Sequence, residues 1–167
     1  MPFSATLKPA LRRLPHVAAV SLFAGTLAAC SGFGGSGSPT ALPVGLSTPM
    51  DQPGAQLDAA QALGIVNAYR ASVGAPALTA DASLTATAQT LANQYASSGI
   101  APAAPGNAVA MRLSAGYSTF AETFSGWRNS PADAAVLAEH GATRAGVAVA
   151  YTPNSTYGVH WVLLLGN

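Results

Sequence analysis

The segment Tyr157-Gly158-Val159-His160-Trp161-Val162-Leu163-Leu164-Leu165 has no polar face when read as a strand. Side chains alternate along a strand, so Val159, Trp161, Leu163 and Leu165 point one way and His160, Val162 and Leu164 the other. A strand apolar on both sides has to be covered twice, which calls for helices above and below it. Residues 145–152 form a second apolar β run, and Pro153-Asn154-Ser155-Thr156 joins the two as a hairpin turn. The expected fold is α+β, a three-layer α-β-α sandwich around a mainly antiparallel central sheet.

The helices that would supply the covering layers are legible upstream. From Asp58, the residues Leu63, Val66, Tyr69 or Arg70, and Val73 fall at helical spacing, and Gly74 with Pro76 closes the run. Asp81 caps a second helix whose stripe is Leu84, Ala88, Leu91 and Tyr95, ending at Gly99. These two helices are expected to pack together. A short strand follows at residues 108–113, and Thr119-Phe120-Ala121-Glu122 has the capping-box pattern that starts a third helix with Phe120, Phe124 and Trp127 inside. Ser130-Pro131-Ala132-Asp133 starts a fourth helix, expected to run to about Glu139, with proline at its first position and a carboxylate in its first turn.

The N-terminal part reads differently. Lys8, Arg12 and Arg13 precede an apolar run from residue 17 to 27, then small residues and Cys30, the only cysteine. That is the layout of a secretion signal, too short for a stable membrane span. Leu27-Ala28-Ala29-Cys30 resembles the bacterial lipobox, which implies cleavage before Cys30 and its diacylation, with two acyl chains tethering the protein to a membrane surface. Ser31 after the cysteine points, by the same resemblance, to the outer membrane and a periplasmic-face location in the cell envelope. Residues 30–56 are rich in Gly, Ser and Pro and read as a tether, which places the domain at residues 57–167 after a signal peptide at 1–29. Without the leader the chain keeps four arginines against six carboxylates, a formal balance of −2. No basic patch remains for nucleic acid or anionic lipid.

Within residues 57–167 the order of motifs resembles the CAP superfamily, the SCP-like domains of cysteine-rich secretory, antigen 5 and pathogenesis-related proteins, in its small bacterial lipoprotein branch. The resemblance is carried by Ile65-Val66-Asn67-Ala68-Tyr69-Arg70, Pro76-Ala77-Leu78, Asp81 with Leu84, Ala115-Gly116-Tyr117, Gly126-Trp127 through Ser130-Pro131, and a last strand centred on Trp161. The family cavity gathers two histidines and one or two glutamates able to hold a divalent metal or move protons. Aligned on those motifs, the cavity glutamate falls on Met111, its neighbouring asparagine on Arg112, and the histidine after Ser-Pro-x on Asp133. The histidine after the second helix has no counterpart, and the polar residue two past Trp161 is Leu163. The resemblance thus implies the fold with a degenerate cavity, and neither metal nor cofactor is expected.

Met111, Asp133, His160 and Trp161 are the residues expected to border that altered cavity and any ligand in it. Asp133 and Glu122 are each explained by a helix start, and His140 before Gly141 by a helix C-terminus. No Gly-x-Ser-x-Gly element supports a serine hydrolase. The expected function is that of a membrane-tethered, non-enzymatic extracytoplasmic domain that binds an apolar small ligand or an envelope protein. The alternative is a hydrolase or metal-dependent enzyme of non-standard design built on Asp133, Glu122 and His160.

Overall fold

The structure is a computed structural model that describes residues 42–167. The leader, Cys30, Ser31 and the first part of the tether lie outside the described residues. The elements in chain order are α1 (Val44–Ser47), α2 (Ala59–Ser72), β1 (Thr79–Ala80), α3 (Ala82–Ser98), β2 (Ala110–Ala115), α4 (Phe120–Asn129), α5 (Pro131–Leu137), β3 (Arg144–Tyr151) and β4 (Val159–Gly166). The four strands form one sheet in the order β1-β3-β4-β2, antiparallel except for the parallel β1–β3 pair.

β4 is central and buried along its whole length, as its sequence requires. Val159, Trp161, Leu163 and Leu165 enter one core with α1, α2, α4 and α5, while Val162 and Leu164 enter a second with α3. The three layers are therefore α3, the sheet, and the remaining helices. The first core is aromatic. Phe120 lies 5.7 Å from Trp161 and 6.1 Å from Trp127, ring centre to ring centre, and Phe124 stands edge-on to Tyr69 at 6.2 Å. Both indoles are satisfied by backbone, Trp127 Nε1 donating to the Leu113 carbonyl and Trp161 Nε1 to that of Tyr117.

The second core is built from small residues. Ala88, Ala92 and Ala96 of α3 face Ala148 and Ala150 of β3, so the helix axis can lie close to the sheet. That explains why the buried stripe runs through Ala92 and Ala96, with Leu91 and Tyr95 only half-buried beside it. The closest approach is at Gly146, where a Cβ would stand 2.2 Å from the Thr85 nitrogen.

Several expectations are corrected. α2 and α3 do not pack together. The two-residue strand β1 joins the sheet edge between them, and the chain passes from one face to the other there. The packed domain also starts before residue 57. Leu46 and Met50 are each 1% exposed, Met50 N–H donates to the Ser118 carbonyl, and Gly45 N–H donates to the Gln61 side chain. Each such side chain contributes roughly 1.5–3 kcal/mol of burial, enough to hold a segment whose composition reads as linker. β2 begins two residues later than expected, and α5 stops at Leu137, short of Glu139.

The end of α5 is held by Arg70 of α2, a fully buried cation. Its Nε donates to the Pro76 carbonyl, Nη1 to Leu137, and Nη2 to Glu139 and Ala142. A helix C-terminus leaves carbonyls without partners, and a guanidinium is suited to collect them. His140, expected in this role, is exposed. Burial lowers the Arg70 pKa below the usual arginine value, and the nearby Glu139 charge opposes that shift.

Candidate functional site

The sheet separates the four residues expected at one cavity. Strand alternation puts Met111 and His160 on the α3 side, and Trp161 on the opposite side with Arg112, to which Asp133 of α5 is bound. Met111 is half-buried beside Leu113 and Leu164 in the second core. His160 pairs across the ladder with Ala115, four residues from Met111 and about 13 Å along the sheet at roughly 3.3 Å per residue. The four do not converge on one pocket.

Asp133 is not a helix cap. Ser130 makes no side-chain cap bond at the start of α5, and the Asp133 carboxylate instead accepts from Arg112 Nη1, whose Nε donates to the Met111 carbonyl. The ion pair is partly buried, with side chains 29% and 28% exposed, and it fastens α5 to β2. Glu122 does serve as expected. Its carboxylate accepts from the Thr119 backbone N–H, while the Glu122 N–H donates to the Thr119 hydroxyl, completing the capping box. Asp133, Glu122 and His160 thus each have separate surroundings. Among the described residues, no group of three or more His, Cys, Asp or Glu side chains comes together.

His160 has the most distinctive environment. It is fully buried, with Tyr95 of α3 edge-on at 4.6 Å and Tyr157 at 6.4 Å between ring centres. Its Nε2 lies 3.5 Å from the Ser155 hydroxyl. That hydroxyl oxygen already accepts the amides of Tyr157 and Gly158, at 3.2 and 3.0 Å. At 3.5 Å the contact with Nε2 is the longest of the three at this hydroxyl. The ring's Nδ1 is buried with no side-chain or backbone partner in hydrogen-bonding geometry. Burial lowers the His160 pKa below 6.5, with the Gly158 backbone opposing.

This environment predicts a pH dependence. Near its ordinary value of 6.5 the unfolded chain takes up a proton at His160 that the folded chain resists. Between the lowered folded value and 6.5 the unfolded state binds more protons, so stability rises with pH through that window and falls on acidification. Urea midpoints of wild type and His160→Leu at about pH 7.5 and pH 5.5 measure this. The variant is expected to lose part of the pH dependence, and an equal dependence in both chains would contradict the assignment.

His160 also lines a pocket of about 240 Å³ between the end of α3 and the β3–β4 turn, bordered by Ser98, Gly99, Thr152, Asn154, Thr156 and Tyr157. A wider, shallower groove of about 390 Å³ lies on the other side, between Ile65, Ala68 and Tyr69 of α2 and Phe124 and Arg128 of α4. Sequence reasoning missed Arg70, Arg112 as the partner of Asp133, and the surroundings of His160. For Arg70 the one available signal was a charged residue at a stripe position. For the others the contacts join residues far apart in the chain.

The family model described as "CAP: Cysteine-rich secretory protein family" matches residues 63–165. No curated protein matches the sequence. Among solved structures, an extracellular protein containing a SCP domain from Bacillus anthracis str. Ames is 14% identical, with a TM-score of 0.53 over 65% of this chain and 40% of that one. MpPR-1i is 16% identical, with a TM-score of 0.52 over 64% of this chain and 84% of that one. At these identities the likeness is one of fold.

Proposed function

Because this chain belongs to the CAP family, the cysteine-rich secretory protein family, we propose that it is a lipid-tethered extracytoplasmic domain that works by binding rather than by turnover. The observation that carries the reading is the Arg112–Asp133 pair. These residues stand where the family motifs place an asparagine and a cavity histidine, and each neutralises the other between β2 and α5. A carboxylate engaged by a guanidinium in this way is not free to ligate a metal.

The tether is inferred from the basic start, the apolar run and the lipobox-like Leu27-Ala28-Ala29-Cys30. Among the described residues no helix is long and apolar enough to cross a membrane. The similar fold in a Bacillus anthracis protein described as extracellular agrees with a place outside the cytoplasm, and Ser31 favours the outer membrane. The occupant best matched to such a position is an envelope component. An apolar small molecule is the second reading, favoured by the α2–α4 groove with its Ile65, Tyr69 and Phe124 walls.

Two measurements test the proposal. Cys30→Ser in the full chain is expected to move most of the protein from the membrane fraction to the soluble fraction, and unchanged membrane association would remove the anchor from the account. Saturable retention of an envelope extract by the full chain, with no ester or peptide turnover dependent on Asp133, is the expected functional result. Turnover abolished by Asp133→Asn would overturn the binding reading.

A further inference from the structure

We propose that the pocket beside His160 binds a neutral, hydroxyl-rich ligand, a saccharide unit about one sugar ring in size. The inference rests on the reading of the chain as a binding domain and specifies the chemistry of its ligand. The pocket, open to solvent on one side, has a volume of about 240 Å³, the scale of a small polar molecule. None of its lining residues is Asp, Glu, Lys or Arg, and burial disfavours the charged form of His160. An anion or a cation therefore finds no counter-charge there.

What the lining offers is the hydroxyls of Thr152 and Thr156 and the carboxamide of Asn154, together with the phenol ring of Tyr157; the Ser98 hydroxyl is bonded to the Gln94 carbonyl and the Ile100 amide. Tyr157 is 56% exposed and lines the pocket. An exposed ring whose phenol is a donor and acceptor is apolar on its face and polar at its tip, which matches a sugar's C–H face and hydroxyl rim. A few convergent polar groups beside an aromatic wall is how ligand pockets fix orientation. Nδ1 of His160, in a residue lining the pocket, is a buried polar atom with no partner.

The amide bonds at Ser155 give its hydroxyl a role in the β3–β4 turn. Its oxygen accepts from Tyr157 and Gly158 and is held there as a structural hub.

The test is a titration of the full chain, held in a detergent without a sugar head group, with glucose, N-acetylglucosamine and its β-1,4-linked dimer, followed by NMR of the His160 ring and neighbouring amides. Saturable shifts centred on Ser155, Tyr157 and His160 are expected. Tyr157→Ala and Asn154→Ala, both at accessible positions, should weaken them by roughly three- to tenfold, the scale of one lost aromatic or polar contact. Glucuronate or inorganic phosphate binding there more tightly than the neutral sugars would overturn the proposal. So would the absence of saturable shifts, or shifts that both variants leave unchanged. If an envelope extract is still retained while the sugars fail, only this inference falls; if retention fails as well, the binding reading falls with it.

Discussion

Gly146→Ala is expected to destabilise the domain by about 3 kcal/mol or more, lowering the melting temperature by about 10–15 °C. The added Cβ would lie 2.2 Å from the Thr85 nitrogen, 2.3 Å from the Leu84 carbonyl carbon and 2.7 Å from its oxygen. All three are backbone atoms at the start of α3, so no side chain can turn aside. The helix has to lift from β3, and the Ala88, Ala92 and Ala96 contacts with the sheet open with it. Gly64→Ala is the matched control. That glycine lies on the exposed side of α2 with nothing within 4 Å of an added Cβ, so alanine should stabilise by about 0.5–1 kcal/mol through helix propensity. Thermal unfolding of both variants checks the pair, and a loss at Gly146 no larger than a surface substitution gives would contradict the close α3–β3 packing.

Arg70→Ala is expected to cost about 3–5 kcal/mol, the sum of buried carbonyls left unsatisfied at about 1–3 kcal/mol each and of the space opened, less the desolvation of the cation. The substitution leaves the carbonyls of Pro76, Leu137, Glu139 and Ala142 without their donor and opens a space in a fully buried site. Arg70→Lys should recover less than half of the loss, because an ammonium on one stem cannot reach carbonyls arranged for a planar fork. Urea denaturation reads both, and full rescue by lysine would mean that charge alone, and not the fork geometry, secures α2 to the end of α5.

How far the fold was legible follows from where each signal resides. The capping box at Thr119 and Glu122 and the stripe of Phe120, Phe124 and Trp127 are local, and they are present as read. The two apolar faces of β4 predict helices on both sides, and the helices are there. α1 and β1, four and two residues long, carry too little sequence for any periodicity to show. Leu46 and Met50 sit in linker-like composition, and only the distant Ser118 and Gln61 explain why they are held.

The site was less legible for the same reason. Asp133 has the local setting of a helix-start carboxylate, yet its partner is Arg112, 21 residues away. His160 was assigned to the correct face, but its pocket is completed by the end of α3, some 60 residues upstream in the chain. Strand alternation already forbids His160 and Trp161, adjacent in sequence, from facing one cavity. The family alignment brought together positions that the sheet keeps apart.

The central claim is that Arg112 and Asp133 hold β2 to α5 instead of acting on a substrate. A double-mutant cycle with Arg112→Met and Asp133→Asn, read by urea denaturation with and without added zinc, tests it most directly. The predicted result is a favourable coupling of about 0.5–1 kcal/mol, as for a partly buried ion pair, with each single variant less stable and zinc without effect on the wild type. Additive variants, together with an Asp133→Asn chain as stable as wild type or more so, would contradict it and return Asp133 to the status of a functional acid.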